Sequence, residues 1–250
     1  MKMTRVYDLP TRLFHWLFAG LFIAAFFIAK VLDDESAQYP YHMLLGLVLA
    51  LSVVLRVVWG LLGSRHARFS SYVLNPAELI EYFKNFFSAK TKRYLGHNPA
   101  SSWAAIIMMA LALGLGVSGY LMVQGTNKEL FEDIHELLAN AFLVVAIAHV
   151  AGIILHTLKH KDAIGLSMVH GKKIGAEGDL ELQKSHWLVA LIFVGLIGSF
   201  VVHLNKNYDQ STQSLKLFGK TLQLGENEEA EGGAKGEGQH DEKDEDEDND

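Results

Sequence analysis

Residues 134–158, IHELLANAFLVVAIAHVAGIILHTL, are apolar almost throughout yet hold a histidine near the start and two more further along. A bilayer core about 30 Å thick is crossed by roughly 20 apolar residues in helical form, so this run reads as a membrane span. His135 and His149 are 14 residues apart, which in a helix is about 1400° of rotation and roughly 21 Å of rise. The two therefore fall within about 40° of each other on one face, near opposite sides of the membrane. An ionisable group inside a span is costly and usually faces the bundle interior, where it marks a functional site. Each of these two asks for a partner at its own depth.

Working outward, four more runs of spanning length lie at 14–31, 42–62, 103–123 and 187–204. The chain has 250 residues, 50% hydrophobic and 10% aromatic, and five such runs make it an all-α integral membrane protein rather than a soluble domain. The first run does not read as a secretory signal peptide. No small-residue cleavage site follows it, and Asp33, Asp34 and Glu35 come next.

Charge is unevenly placed. Residues 226–250 hold thirteen acidic side chains against two lysines, a net of −11, so the whole-chain −6 leaves about +5 on residues 1–225. Lys2, Arg5 and Arg12 precede or open the first span, and basic residues crowd the connections between spans two and three and between four and five. The other connections carry almost none, only Lys128 between spans three and four. This asymmetry predicts a cytoplasmic N-terminus and, after five crossings of a bacterial inner membrane, a periplasmic C-terminus. Segment 76–92 sets Leu79, Ile80, Phe83, Phe86 and Phe87 at helical spacing among charged residues. It predicts either a helix lying in the cytoplasmic interface or an ordinary amphipathic connector. The acidic, glycine-rich tail has too little apolar surface to fold and is expected to be disordered.

Cysteine is absent, which excludes disulfides, thiolate metal sites, iron–sulfur clusters and covalently attached c-type haem. Any metal or haem must use the twelve histidines. His15 enters the first span from the cytoplasmic side, level with His149, and His42 opens the second span from the other side, level with His135. Depth thus pairs them into two non-covalent haems b, one on His15 and His149 and one on His42 and His135, roughly 20 Å apart. With both axial positions filled, such irons pass electrons and do not readily bind oxygen. His156, seven residues past His149 on nearly the same face, is an alternative ligand.

Gly46, one turn beyond His42, and Gly152, three residues past His149, leave the gaps a porphyrin needs beside a helix. Gly114, Gly116, Ser118 and Gly119 in the third span are read as close helix packing. Arg56 shares the face of His42 at the depth of the cytoplasmic-side haem, where a propionate would suit its fork geometry; the alternative is snorkelling to the surface. Arg12, one turn before His15, is placed to do the same from the interface. His156, Lys159 and His160 are candidate proton-exchanging groups for a quinone site. His66, His97, His170, His186 and His203 sit at span ends or in loops, where histidine is commonplace.

Several motifs in order resemble the bacterial cytochrome b561 group, the di-haem b-type cytochromes that include hydrogenase cytochrome b subunits. They are Thr11-Arg-Leu-Phe-His-Trp16, the stretch from Arg56-Val-Val-Trp-Gly through Arg65-His-Ala-Arg-Phe69, and Leu95-Gly-His-Asn-Pro99. His135-Glu-Leu-Leu-Ala-Asn140, His149-Val-Ala-Gly152, and the closing His160-Lys-Asp through Met168-Val-His-Gly-Lys-Lys173 complete them. The resemblance covers about residues 5–173. It implies a four-helix bundle with two haems b whose ligands lie on helices one, two and four, and those roles fall on His15, His42, His135 and His149. It also implies electron passage between membrane quinone and a partner outside. The fifth span and the tail go beyond the four-helix pattern. The chain divides accordingly into a di-haem domain at 1–173, a linker and fifth helix at 174–205, and a periplasmic segment with its acidic tail at 206–250.

Three functions compete. The first is an electron-transfer subunit between the quinone pool and a periplasmic redox partner, a c-type cytochrome or another redox subunit, or a hydrogenase-type anchor. The second is a self-contained superoxide:quinone oxidoreductase, for which a basic funnel would attract the anion. Asp33, Asp34, Glu35, Glu129, Glu132 and Asp133 stand at that mouth instead and favour a cationic protein. The third, a proton-coupled transporter, lacks broken helices and intramembrane carboxylates. The first is preferred, with lipid and quinone as further partners and no nucleic acid.

Overall fold

The computed structural model describes residues 2–86, 88, 94, 96–161, 164–175, 182 and 184–225. The acidic tail expected to be disordered lies outside the described residues, as do Phe87 and residues 89–92 of the expected interfacial helix. In chain order the elements are β1 (Lys2–Arg5), α1 (Leu9–Val31), α2 (Pro40–Leu62), α3 (Pro76–Phe86), α4 (Pro99–Val123) and α5 (Lys128–His160). They continue with α6 (Ser167–His170), β2 (Lys172–Gly175), α7 (Trp187–Asn207), β3 (Tyr208–Asp209), β4 (Ser214–Leu217) and β5 (Lys220–Gln223). Helices α1, α2, α4, α5 and α7 are long and apolar enough to cross a membrane.

Four of these helices begin two to six residues before the expected apolar runs, and in α1, α2 and α4 a capping side chain or proline rather than hydropathy sets the start. Asp8 accepts a hydrogen bond from the Thr11 amide at 2.9 Å with Pro10 in the first turn of α1. Asn98 accepts one from the Ser101 amide at 2.8 Å ahead of Pro99 in α4, and α2 opens on Pro40. A side-chain acceptor satisfies an amide that the helix cannot, and proline lacks the amide altogether. Helix α5, at 33 residues, is about 50 Å long and stands beyond the hydrocarbon at its ends.

Helix α1 packs on α2, α2 on α4 and α4 on α5, while α7 lies outside this bundle against α1 and α2. The mid-bundle core takes side chains from all four inner helices: Phe18 and Phe22, Leu49 and Val53, Met109 and Ala112, and Phe142. Outward-facing side chains such as Ile23, Val144, Ile147 and Leu191 are apolar and exposed, a surface that matches lipid and would be an aggregation liability in water.

Contacts at the two ends show that the helices alternate in direction. At the end carrying the N-terminus, here the near face, β1 pairs antiparallel with β2 from Lys2 opposite Gly175 to Arg5 opposite Lys172. At the far face, β3, β4 and β5 form an antiparallel meander joined at Phe218 and Gly219, both with positive φ. Leu215, Leu217, Leu222 and Leu224 are buried there against Leu44 and Val48 of α2 and Leu204 of α7. The segment 206–250 was expected only to lead into a tail. The meander is new, although its alternation of Leu215 with Leu217, and of Leu222 with Leu224, is a strand signal in the sequence.

Candidate functional site

The histidines of the spans gather at two stations. At the far face His42, in the first turn of α2, meets His135, two turns into α5, with ring centroids 6.0 Å apart and planes at 71°. The Nδ1 of His42 lies 2.8 Å from the Ala25 carbonyl of α1. A carbonyl only accepts, so Nδ1 carries the proton and Nε2 keeps its lone pair. The Nδ1 of His135 lies 2.9 Å from Ser118 Oγ, which is itself 2.9 Å from the Gly114 carbonyl. The hydroxyl hydrogen goes to that carbonyl, so Ser118 accepts from Nδ1 and His135 too presents a free Nε2. Ring nitrogens fixed through the other nitrogen in this way are typical of metal-binding histidines.

With ring centroids 6.0 Å apart and a free Nε2 on each, His42 and His135 could together hold the iron of a haem, which would supply a one-electron couple there. A β-carbon at Gly46 would meet nothing within 4 Å, so one turn from His42 the helix surface is open enough for a flat macrocycle. Helix α4, read from the sequence only as packing, turns out to position the site. Ser118 orients His135, and a β-carbon at Gly119 would touch the His135 ring at 3.4 Å. A serine one helix away from a histidine leaves no local pattern, so sequence spacing could not find it.

At the near face His15 of α1 stands within electrostatic reach of His149 of α5. Its Nδ1 is buried and has no hydrogen-bond partner among the described residues. Between the stations Phe142 stacks on Phe22 at 3.8 Å and lies 5.5 Å from Phe18, filling the middle of the bundle with aromatic rings. Among the described residues no three or more potential ligands gather to hold a bare metal ion. Of the span histidines, His42 and His135 bring their rings into contact across helices.

Arg56 does not snorkel. It is 2% exposed, and its Nη2 donates to the Ala67 carbonyl at 2.9 Å and the Tyr72 hydroxyl at 2.7 Å. The guanidinium lies over the Phe69 ring, and Nη1 is buried without a partner among the described residues. Arg12 donates from Nη2 to the Val169 carbonyl and from Nε to the Met168 carbonyl at 3.5 Å, so its hydrogen bonds hold the end of α6. His156 and His160 stack at 4.4 Å beside a near-face cleft that Tyr82 and Lys173 also line. Lys159 turns to the Ser88 carbonyl and the Phe86 ring. Gly152 has open space at its β-position.

The family described as prokaryotic cytochrome b561 matches residues 6–171. A probable Ni/Fe-hydrogenase B-type cytochrome subunit of Rhizobium leguminosarum bv. viciae is 24% identical over 212 residues, 68% of this chain and 88% of that protein. One from Rhodobacter capsulatus is 21% identical over 220 residues, 70% and 83% of the two chains. One from Cupriavidus necator is 29% identical over 133 residues, 45% and 54%. No solved structure gives a significant match. Both histidine stations lie inside the matched region, and the chain belongs to the prokaryotic cytochrome b561 family as a membrane electron-transfer protein that binds b-type haem.

Proposed function

We propose that this chain carries electrons across the bacterial inner membrane between the quinone pool and a periplasmic redox partner, through two haems b. His42 and His135 would hold one and His15 and His149 the other. The observation that carries this reading is the His42–His135 pair, 6.0 Å apart, with each Nδ1 engaged so that both Nε2 atoms are left as ligands. When bound, haem b supplies a one-electron iron couple at each station. The chain's own work is to fix the imidazoles, exclude water between the stations with Phe18, Phe22 and Phe142, and keep both axial positions filled.

The near face is assigned to the cytoplasm by its Lys and Arg excess. His156 and His160, beside the near-face cleft, are the groups best placed to exchange a proton with a quinone, with Lys159 adjoining. At the far face Asp33, Asp34, Glu35, Glu129, Glu132 and Asp133 are exposed, and a negative rim favours a positively charged protein such as a c-type cytochrome over the superoxide anion.

The test uses vesicles with ferricyanide trapped inside and a short-chain quinol outside. Electron arrival inside should exceed that of protein-free vesicles and fall to their level in His15→Ala and His42→Ala. Equal rates with and without protein would refute the reading. A second reading, a hydrogenase-type subunit, is favoured by the names of the relatives. It requires hydrogen to reduce the haems in native membranes only while a Ni/Fe hydrogenase is present.

A further inference from the structure

His97, a loop residue by its place in the sequence, has a buried side chain at 9% exposure. Its ring packs on Tyr72 at 4.4 Å and edge-on to Tyr7 at 5.4 Å. The backbone around it is pinned. The Gly96 carbonyl accepts from Lys173 Nζ at 2.6 Å and from the Tyr7 hydroxyl at 3.4 Å, and Asn98 caps α4. A β-carbon at Gly96 would stand 2.9 Å from His66 Nδ1, so only glycine lets that ring so close.

Every group that acts electrostatically on His97 is a base or a cation: Lys173, Arg56, His66 and His149. Burial and these neighbours hold the His97 ring well below the ordinary histidine range, so it is neutral and one nitrogen donates. Burial likewise raises Tyr7 and Tyr72, which stay protonated. The buried carboxylate of Asp8 is committed to the Thr11 amide and to Trp59 Nε1 at 3.1 Å. Arg56 Nη1 and His97 Nδ1 are among the buried polar atoms with no partner in the described residues. Leaving a buried donor unmatched costs about 1–3 kcal/mol, more for a charged group, and a buried guanidinium N–H without an acceptor calls for an anion.

We propose that Arg56 Nη1 and His97 Nδ1, with the Tyr72 hydroxyl beside them, form a buried receptor for a propionate carboxylate of the haem held by His15 and His149. This rests on the pairing proposed above, and His149 is the link, since it acts on both His15 and His97. His97 is a binding residue here and not an iron ligand. Donors and positive charge around a propionate offset its negative charge near the iron and favour the reduced state.

The test is a redox titration of the purified holoprotein that resolves the two haems, with haem content measured alongside. His97→Leu should keep both haems and lower the midpoint of one by at least a threefold change in its reduction equilibrium, roughly 30 mV for one electron. The other haem should be unmoved. His97→Gln retains an N–H donor and should restore most of the loss, which a purely packing role would not predict. Arg56→Gln should shift the same haem in the same direction. All titrations are run in phosphate-free maltoside micelles. If the His97→Leu shift appears only when inorganic phosphate or phospholipid is added, the anion is a phosphate and the propionate assignment fails. Unchanged midpoints in His97→Leu, or equal shifts in both haems, would also overturn it. Failure of the underlying pairing looks different, because His15→Ala would then retain two haems.

Discussion

His42 and His135 come to the far-face station already hydrogen-bonded through Nδ1, to the Ala25 carbonyl and to Ser118, whereas His15 at the near face has a buried Nδ1 with no such anchor. The surroundings differ in the opposite sense. Near-face residues include a buried arginine, a buried histidine and Lys173 pinned to the Gly96 carbonyl. The far-face pair has helix backbone, a serine and, further out, a rim of exposed carboxylates. In one pair both rings are oriented by hydrogen bonds through Nδ1, and the other pair lies near a buried arginine, a buried histidine and a lysine. Two sites built from the same residue type in one bundle therefore need not respond alike to mutation, salt or pH.

Removal of a proposed ligand breaks the comparison most severely. His42→Ala or His135→Ala should abolish haem at the far-face station and leave the other spectrum intact, and His15→Ala or His149→Ala should do the reverse. The readout is haem per chain together with the low-temperature absorption bands. A His149→Ala protein that keeps two haems, with loss instead in His156→Ala, would move the near-face ligand one heptad along α5.

What could be read in the sequence follows the range of the physical signal. Apolar runs and the 14-residue interval from His135 to His149 act along one helix, and both are visible without tertiary knowledge. The proposed pairing of depths needs only the alternation of spans. The partners of Ser118 and His97 sit on other elements and leave no local pattern: Ser118 is 17 positions from His135, and His97 packs on Tyr7 and Tyr72. For Arg56 the sequence allows either an inward or a snorkelling position, and the choice depends on Ala67 and Tyr72 lying ready to receive it. The β3–β5 meander was legible in principle, as alternating leucines either side of Phe218-Gly219, and the acidic chain that follows drew the reading away from it.

The hydrogen bond from His135 sharpens the comparison at smaller scale. Ser118→Ala removes the acceptor that orients the ring while leaving the ligand itself. Changes of this kind typically cost about 10- to 100-fold in metal affinity, so the far-face haem should dissociate preferentially when the detergent-solubilised protein is diluted. Among the described residues no serine is bonded to His15 or His149, so a haem held by that pair should serve as the internal control. Equal loss of both haems would mean that Ser118 acts on the bundle as a whole, and no loss would mean that Gly119 and the α4 backbone suffice to hold the ring.

The smallest effect concerns the side from which a partner approaches. Leu224 packs with the meander against α2 at the far face, so residues 226–250, with thirteen acidic residues and two lysines, start beside the His42–His135 station and not beside the basic near face. Complementary charge raises association rates by one to three orders of magnitude when it is concentrated at a binding mouth. An acidic segment adjoining an already acidic rim would contribute towards the lower end of that range. Truncation after Gly225 removes eleven net negative charges and should leave haem content and both midpoints unchanged, because the proposed ligands and the packed meander all precede Gly225. It should slow electron transfer to a basic c-type cytochrome at low ionic strength by several-fold. The difference should vanish near 1 M salt, where the screening length is about 3 Å against roughly 10 Å at 0.1 M. If full-length and truncated proteins give the same rate and the same salt dependence, recognition rests on the exposed carboxylates of the α1–α2 and α4–α5 connections alone. If truncation instead lowers haem content, the segment contributes to the fold of the far-face station and not to its encounters.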